Sequence, residues 1–169
     1  MASHPADPNR VARGLQRPQM DLPAAEAACR SAVAAEPENA RSIYQLGRTI
    51  YYQGRHQESV PYLQKSADIG YPQAIFVLAY VQTLGGAVKK DYCKAQSLWK
   101  RGVGLQHPWS GYHLVENQLN GKFAGCKEQV SDAEMSRFMH LATDRITVQA
   151  SRGRVEKLSA RLENHLAKK

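Results

Sequence analysis

The sequence predicts an all-α protein made of stacked helical hairpins, and three observations lead to that fold class. Apolar residues recur at spacings of three and four from Leu22 onward, which is typical of helices with one buried face. Pro37, Pro72 and Pro108 lie 35 and 36 residues apart. Glycines stand between these prolines, at points where helices are expected to end. A period of this size, divided into two short helices, is typical of a helical solenoid.

Residues 1–21 are expected to form an irregular N-terminal arm. They contain Pro5, Pro8 and Pro18, with Pro23 just beyond, and they show no apolar periodicity. Proline disfavours helix at the residue before it, so the arm should be extended or irregular. The first residues also lack the charged and apolar regions of a secretory signal. This favours a cytoplasmic location by default and leaves the periplasm open if the chain was trimmed.

Six short helices and a longer one are expected after the arm. Proline fits the first turn of a helix because its missing N–H would be unbonded there. Glycine takes the left-handed conformation at a helix C-terminus without strain. On these signals the predicted helices cover 22–35, 39–53, 56–69, 72–84, 91–103, 108–120 and 131–166.

An internal repeat accounts for the regular spacing of these helices. An offset of 36 residues aligns Leu63 with Trp99 and Leu78 with Leu114. Because a single hairpin cannot bury its own apolar face, neighbouring hairpins must stack. We therefore expect about three hairpins in a repeat domain, with the C-terminal helix closing its open end. The expected domains are the arm at 1–21, the repeat domain at 22–125, and a capping helix with a basic tail at 126–169.

Three stretches resemble the tetratricopeptide repeat (TPR) family and its Sel-one-like (Sel1-like) subclass. Residues 42–48, Ser-Ile-Tyr-Gln-Leu-Gly-Arg, and residues 62–74 resemble the helices of such repeats. Residues 85–95, Gly-Gly-Ala-Val-Lys-Lys-Asp-Tyr-Cys-Lys-Ala, look like the inter-helix loop of the Sel1-like subclass, which typically reads G-x-G-V-x-x-D-x-x-K-A. The resemblance covers about residues 24–125 and implies an α-α superhelix.

The resemblance also implies a function in protein–protein interaction, as an adaptor or scaffold. In such repeats the first helix of each unit lines a concave groove that takes a peptide or a partner domain. Tyrosine, tryptophan and arginine dominate binding hot spots, and arginine suits a carboxylate or phosphate. Aromatic residues at this spacing also occur in helix cores, so about half of the set is expected to be buried. Carried over by register, the expected partner-binding residues are Arg41, Tyr44, Arg48, Tyr51, Tyr52, Gln73, Phe76, Tyr80, Trp109, Tyr112 and Glu116.

No motif in the chain predicts catalysis, a metal site or a cofactor. The six histidines form no HExxH or HxH pattern, and none lies within a helical turn of a cysteine. Residues 131–134, Ser-Asp-Ala-Glu, are typical of a helix-starting capping box. The Gly-Val-Gly stretch at 102–104 lacks the lysine and following Ser or Thr of a phosphate loop. We expect a non-catalytic protein, with a regulatory fragment of a larger enzyme as one alternative.

Cys29, Cys93 and Cys126 are too few and too scattered for a disulfide framework. None belongs to a CxxC pair, which disfavours a zinc site. Buried, inert thiols are the expected state. The alternative is a disulfide between Cys93 and Cys126, which belong to adjacent predicted units and could approach each other.

Net charge and the C-terminal region leave two further functions open. The formal charge of +8 raises the chance of an anionic partner, although a solvated basic surface is the simpler interpretation. A nucleic-acid-binding module is one alternative. Against it, acidic residues are interleaved with the basic residues of the tail, and residues 139–169 contain no aromatic residue that could stack on a base. No apolar run approaches the roughly 18 residues of a membrane helix. A self-assembling protein is the other alternative, dimerising through the near-heptad stripe of Val155, Leu158, Leu162 and Leu166.

Overall fold

The computed structural model describes residues 7, 9 and 14–168, and these residues form helices and connecting loops without any strand. The remaining positions of the predicted arm lie outside the described residues. The chain divides into two compact units, Met1–Lys90 (unit 1) and Asp91–Lys169 (unit 2). The all-α class predicted from the apolar periodicity is confirmed. No described helix is both long enough and apolar enough to cross a lipid bilayer.

Unit 1 is a succession of helices that pack in chain order. A short 3-10 turn leads into α1, and α1 packs against α2, α2 against α3, and α3 against α4. The bounds of α1 to α4 differ from the predicted ones by at most one residue. The elements are the 3-10 turn Arg17–Gln19, α1 Leu22–Ala35, α2 Ala40–Tyr52, α3 His56–Ile69 and α4 Pro72–Leu84.

Side-chain caps and glycine fix these helix ends. Asp21 Oδ1 accepts a hydrogen bond of 3.1 Å from the Ala24 amide, and Asn39 Oδ1 accepts one of 3.1 Å from the Ser42 amide. Each cap satisfies an amide that has no partner within its own helix, and such a cap contributes about 1 kcal/mol. Gly70 ends α3 in the left-handed conformation, with φ at 103°, which a side chain would disfavour.

The helix α2 lies at the centre of unit 1. Every residue from Ser42 to Ile50 is buried, whereas a surface helix would expose one face. Gly47 lets α3 approach closely, because a Cβ there would lie 3.0 Å from Tyr62 Cβ and 3.2 Å from the Leu63 side chain. With α1 and α3 packed against it, α2 has little surface left.

Unit 2 is arranged around its second helix. Its elements are α5 Tyr92–Gly104, α6 Pro108–Leu119, α7 Asp132–Arg145 and α8 Gln149–Leu166. The helix α6 packs against α5, α7 and α8, and α8 also packs against α7. Large apolar side chains fill the space between these helices, among them Trp99, Leu114, Phe123, Phe138, Met139 and Leu158.

The predicted long helix over 131–166 is divided in two. The first part, α7, ends at Arg145, and α8 begins at Gln149. The residues between them, 146–148, are Ile-Thr-Val, three β-branched residues in succession. Such residues lose side-chain freedom in a helix, and Ile146 has φ −90° and ψ 84°, outside helical geometry. Gly153 lies inside α8 and does not interrupt it.

A disulfide joins Cys93 to Cys126 within unit 2. Cys93 lies in the first turn of α5, and Cys126 lies in the loop between α6 and α7. The expectation of inert thiols is therefore wrong for this pair, and the alternative pairing is the one observed. Cys29 is a free, buried thiol. Burial raises its pKa, which disfavours the reactive thiolate.

Candidate functional site

An N-terminal segment, defined here by Asp7, Asn9, Gly14 and Leu15, is hydrogen-bonded to α2 in unit 1. Arg41 Nη2 donates to the Asn9 carbonyl oxygen at 2.8 Å, and Arg48 Nη2 donates to the Leu15 carbonyl oxygen at 2.6 Å. The two arginines are seven residues apart, or about 10 Å along the helix axis. The segment therefore follows α2 in the same direction, held by side-chain bonds to its main chain.

The buried carboxylate of Asp7 anchors this segment. Asp7 is fully buried, and its Oδ2 accepts a hydrogen bond of 2.6 Å from the Tyr71 hydroxyl. Its Oδ1 accepts one of 2.9 Å from the Asn9 amide. Burial and the neighbouring Asp7 carboxylate raise the pKa of Tyr71. Tyr71 thus keeps its proton and remains a donor to the carboxylate.

Tyr44 and Gln73 form the floor of the site. Tyr44 is fully buried, with its ring centroid 5.5 Å from that of Tyr71. Burial raises the pKa of Tyr44, and the Asp7 carboxylate adds to this effect. Gln73 is buried and hydrogen-bonds Tyr44. We call the resulting set the segment-binding face: Arg41, Tyr44, Arg48, Tyr71 and Gln73.

Three tyrosines near the C-terminal ends of α2 and α4 retain exposed surface. Tyr51 and Tyr52 are partly exposed, and 43% of Tyr80 is exposed. Burial, together with the nearby Tyr80 and Tyr52, raises the pKa of Tyr51. The Arg48 guanidinium lies 4.8 Å from the centroid of the Tyr52 ring, within cation–π range. We call Tyr51, Tyr52 and Tyr80 the tyrosine patch.

In unit 2 the helix α8 covers the predicted binding residues of α6. The Arg154 guanidinium lies 5.8 Å from the ring centroid of Trp109 and 5.7 Å from that of Tyr112. Tyr112 is only 4% exposed. Its hydroxyl donates to Glu116 Oε1 at 3.1 Å. The aromatic face of α6 is therefore packed within its own unit.

Glu116 also meets His113, whose Nδ1 lies 3.1 Å from Glu116 Oε2. The hydrogen bond with His113 lowers the pKa of Glu116 against the opposing effect of partial burial, and Tyr112 and Arg154 act in the same direction. On its other side, the His113 ring stacks on Trp99, with centroids 5.3 Å apart. This polar and aromatic cluster joins α5, α6 and α8.

The predicted partner-binding residues divide into three classes of exposure. Four are buried: Tyr44, Arg48, Gln73 and Tyr112. Six are partly buried, namely Arg41, Tyr51, Tyr52, Phe76, Trp109 and Glu116, and one, Tyr80, is exposed. Their role in binding a partner stays a prediction.

Sequence reasoning missed two residues of the segment-binding arrangement, Asp7 and Tyr71. Tyr71 lies at the N-terminal boundary of α4, where the pattern indicated only a helix start. One feature of the sequence could have drawn attention to Asp7: it is the only acidic residue among residues 1–20.

A cluster of charged side chains in unit 1 links α1 to the start of α3. Hydrogen bonds from Gln53, Arg30 and Arg55 lower the pKa of Glu26, outweighing the opposing effect of its burial. Arg30 and Arg55 also pair with Glu58, so the cluster ties α1 to the start of α3. Within residues 7, 9 and 14–168, no group of three potential metal ligands occurs.

The apolar stripe of α8 is covered within unit 2. Val155, Leu158 and Leu162 are buried and Leu166 is partly buried. Because α8 packs against α6 and α7, the chain itself fills the surface on which the predicted dimer depends. The structure gives the dimer no support.

Two solved structures share the fold of this chain. One is c5321, a protective antigen present in uropathogenic Escherichia coli strains displaying an SLR fold. Its TM-score is 0.58 at 22% identity, covering 71% of this chain and 25% of that chain. The other is a Sel1 repeat protein from Oxalobacter formigenes, with a TM-score of 0.59 at 15% identity, covering 73% of this chain and 53% of that chain. No family model matches the chain, and no curated protein matches it significantly.

The chain thus spans about a quarter and about half of the lengths of these two proteins. At such low identity the likeness concerns the fold. The predicted fold class, a Sel1-like helical-repeat fold, is confirmed, and so is the resemblance on which it depended.

Proposed function

We propose that this protein is a non-catalytic protein-interaction module that holds a peptide segment of a partner against unit 1. One observation carries the proposal. Two arginines of α2, Arg41 and Arg48, hold the main-chain carbonyls of Asn9 and Leu15 in the chain's own N-terminal segment. Charged donors form the stronger class of hydrogen bond, and carbonyl oxygens are available on any peptide. The face is therefore suited to polypeptide as a ligand.

The tyrosine patch supplies the second part of the proposed surface. Tyr80 is exposed, with Tyr51 and Tyr52 partly exposed beside it. Tyrosine buries a large area on binding and has few rotatable bonds to immobilise, so it is frequent in binding hot spots. Helical-repeat folds use surfaces of this kind to bind other proteins, which supports the proposal at the level of the fold.

The C-terminal region has a closing role in this proposal. We assign binding to the repeat domain at 22–125 and closure to residues 126–169, since terminal elements of repeat proteins must cover the last apolar face. The packing of α7 and α8 on α6 supports this division. Within the repeat domain, we assign Trp109, Tyr112 and Glu116 a structural role, because they contact α8 or one another, and we restrict partner binding to unit 1.

We further propose that the protein functions in an oxidising compartment. The Cys93–Cys126 disulfide supports this location, because disulfides are rare where glutathione and thioredoxin keep thiols reduced.

Site-specific photocrosslinking tests the proposed function. Benzoylphenylalanine replaces Tyr80 in one variant and Leu105 in a control; the two side chains are 43% and 42% exposed. We expect a protein from the native organism to crosslink at position 80 and not at position 105. A circular dichroism spectrum unchanged from the wild type excludes unfolding. Crosslinks to nucleic acid that high salt abolishes would favour the nucleic-acid alternative, and the absence of any crosslink at position 80 would contradict the proposal.

A further inference from the structure

The chain's own N-terminal segment occupies the face of unit 1 that we assign to a partner. We propose that this face recognises a peptide with an acidic side chain, and that Asp7 and its neighbours are a built-in occupant that such a peptide displaces. This inference rests on the proposed function, because it names the chemistry of the partner and the regulation of the same site.

The buried carboxylate gives the chemistry of the ligand. A carboxylate loses its hydration when buried, which costs free energy unless hydrogen bonds replace the water. Asp7 is fully buried, and its carboxylate accepts a hydrogen bond of 2.6 Å from the Tyr71 hydroxyl. The hydroxyl thus replaces part of the water that the carboxylate gives up on burial. The Tyr71 hydroxyl therefore marks a position for an acidic side chain.

The segment-binding face presents donors, while the segment presents acceptors. Arg41 and Arg48 donate to carbonyl oxygens, and Tyr71 donates to the carboxylate. Arg48 is only 3% exposed. A buried guanidinium that lost its acceptors would be strongly destabilised. The segment can therefore leave at low cost only when another chain brings carbonyls and a carboxylate to the same donors.

Tethering explains why the occupant would act as a regulator. The segment leads through the 3-10 turn directly into α1, so its local concentration at the face is on the order of millimolar. A free peptide of equal intrinsic affinity would compete poorly with it. Weakening the anchor at Asp7 should make the segment easier for such a peptide to displace, since a hydrogen bond to a charged group is one of the stronger polar contacts.

The test uses a fluorescent synthetic peptide of residues 4–19 and the full-length protein, with binding measured by fluorescence anisotropy. We expect the Asp7→Asn protein to bind the peptide about tenfold to a hundredfold more tightly than the wild type, because its own segment is easier to displace. The matched control is Asp144→Asn, which makes the same charge change at an exposed residue of unit 2. It should bind like the wild type.

Two further comparisons locate the site. A peptide with Asn in place of Asp7 should bind the Asp7→Asn protein at least about tenfold more weakly than the native peptide. Adding Tyr71→Phe to the Asp7→Asn protein should remove most of this difference between the peptides. The hydroxyl that donates a hydrogen bond to the peptide carboxylate is then absent. Circular dichroism establishes that each variant is folded.

Three results would overturn the inference. Equal binding of the native peptide to wild type and Asp7→Asn protein would show that the segment is not an occupant. Equal binding of the two peptides would show that the carboxylate is not recognised. No binding to any variant would show that the face does not accept an acidic peptide in trans. A partner that crosslinks at position 80 equally well in wild type and Asp7→Asn protein would retain the proposed function and reject only this inference.

Discussion

At the scale of single residues, Gly111 stands where any side chain would collide with the backbone of a neighbouring helix. A Cβ at this position would lie 2.6 Å from the Phe138 carbonyl oxygen in α7. A side chain could rotate away, but a helix backbone must shift as a body. Gly104 differs, because nothing lies within 4 Å of the corresponding position. An alanine side chain should therefore fit at position 104 and collide at position 111.

Gly111→Ala should lower the free energy of unfolding by about 1–3 kcal/mol, the usual cost of overpacking a close contact. Gly104→Ala is the matched control and should leave stability unchanged or slightly raised, since alanine restricts the unfolded chain. Urea unfolding followed by tryptophan fluorescence measures both variants. Equal midpoints for the two variants would contradict the close approach of α6 and α7.

Glu116 should make stability depend on pH. The hydrogen bond with His113 lowers its pKa below the ordinary 4.5, so the native state favours the carboxylate. Its contribution to stability is present above pH 4.5 and is lost as the pH falls through the lower native pKa. Glu116→Gln removes this contribution. The difference in unfolding free energy between wild type and Glu116→Gln should therefore shrink between about pH 6 and about pH 3. Parallel curves from urea titrations would contradict this account.

At the scale of elements, the disulfide does for unit 2 what the N-terminal segment does for unit 1, in that it ties distant parts of the chain together. It connects the first turn of α5 to the loop before α7, across a sequence separation of 33. Closing a loop of this length restricts the unfolded chain and so favours folding. The loop between α6 and α7 is the longest in unit 2, and the cross-link holds it to α5.

Replacing both cysteines, as Cys93→Ser with Cys126→Ser, should lower the unfolding free energy of unit 2 by about 3–4 kcal/mol. Tryptophan fluorescence in urea reports this change, because both tryptophans of the chain lie in unit 2. A reducing agent should have the same effect on the wild type and none on the double variant. An effect of reductant on the double variant would show that the disulfide is not its target.

At the scale of the whole molecule, each compact unit has its own reporter group. The two tryptophans, Trp99 and Trp109, lie in unit 2, and Cys29, the free thiol, lies in unit 1. Because Cys29 is buried, a thiol reagent reaches it only when unit 1 opens. The two units can therefore be followed separately in a single sample.

The Cys93→Ser, Cys126→Ser variant should lower the urea midpoint seen by tryptophan fluorescence and leave the midpoint of Cys29 labelling near its wild-type value. This follows if the units unfold separately, since the lost disulfide lies wholly within unit 2. Probes that report different transitions show that unfolding is not two-state. A coincident shift of both midpoints would instead show that the units unfold as one.

Features of the fold that depend on residues close together in the sequence could be predicted from it, whereas contacts between distant residues could not. Helix boundaries follow from local signals, such as the Asp21 cap, the Gly70 terminator and Pro72 in the first turn of α4. Local sequence therefore predicted six helices to within one residue. The break between α7 and α8 is also encoded locally, in the β-branched residues 146–148.

The sequence by itself determined the all-α class, the repeat and the residue types available for binding, because each depends on periodicity and on short-range backbone preferences. The tertiary structure alone decided which of those residues are exposed. Asp7 reaches Tyr71 across 64 positions, and Cys93 meets Cys126 across 33. Contacts at such separations leave no periodic trace in the sequence. For the same reason, only the structure shows that the N-terminal segment contacts Arg41 and Arg48 of α2 and that α8 packs on α6.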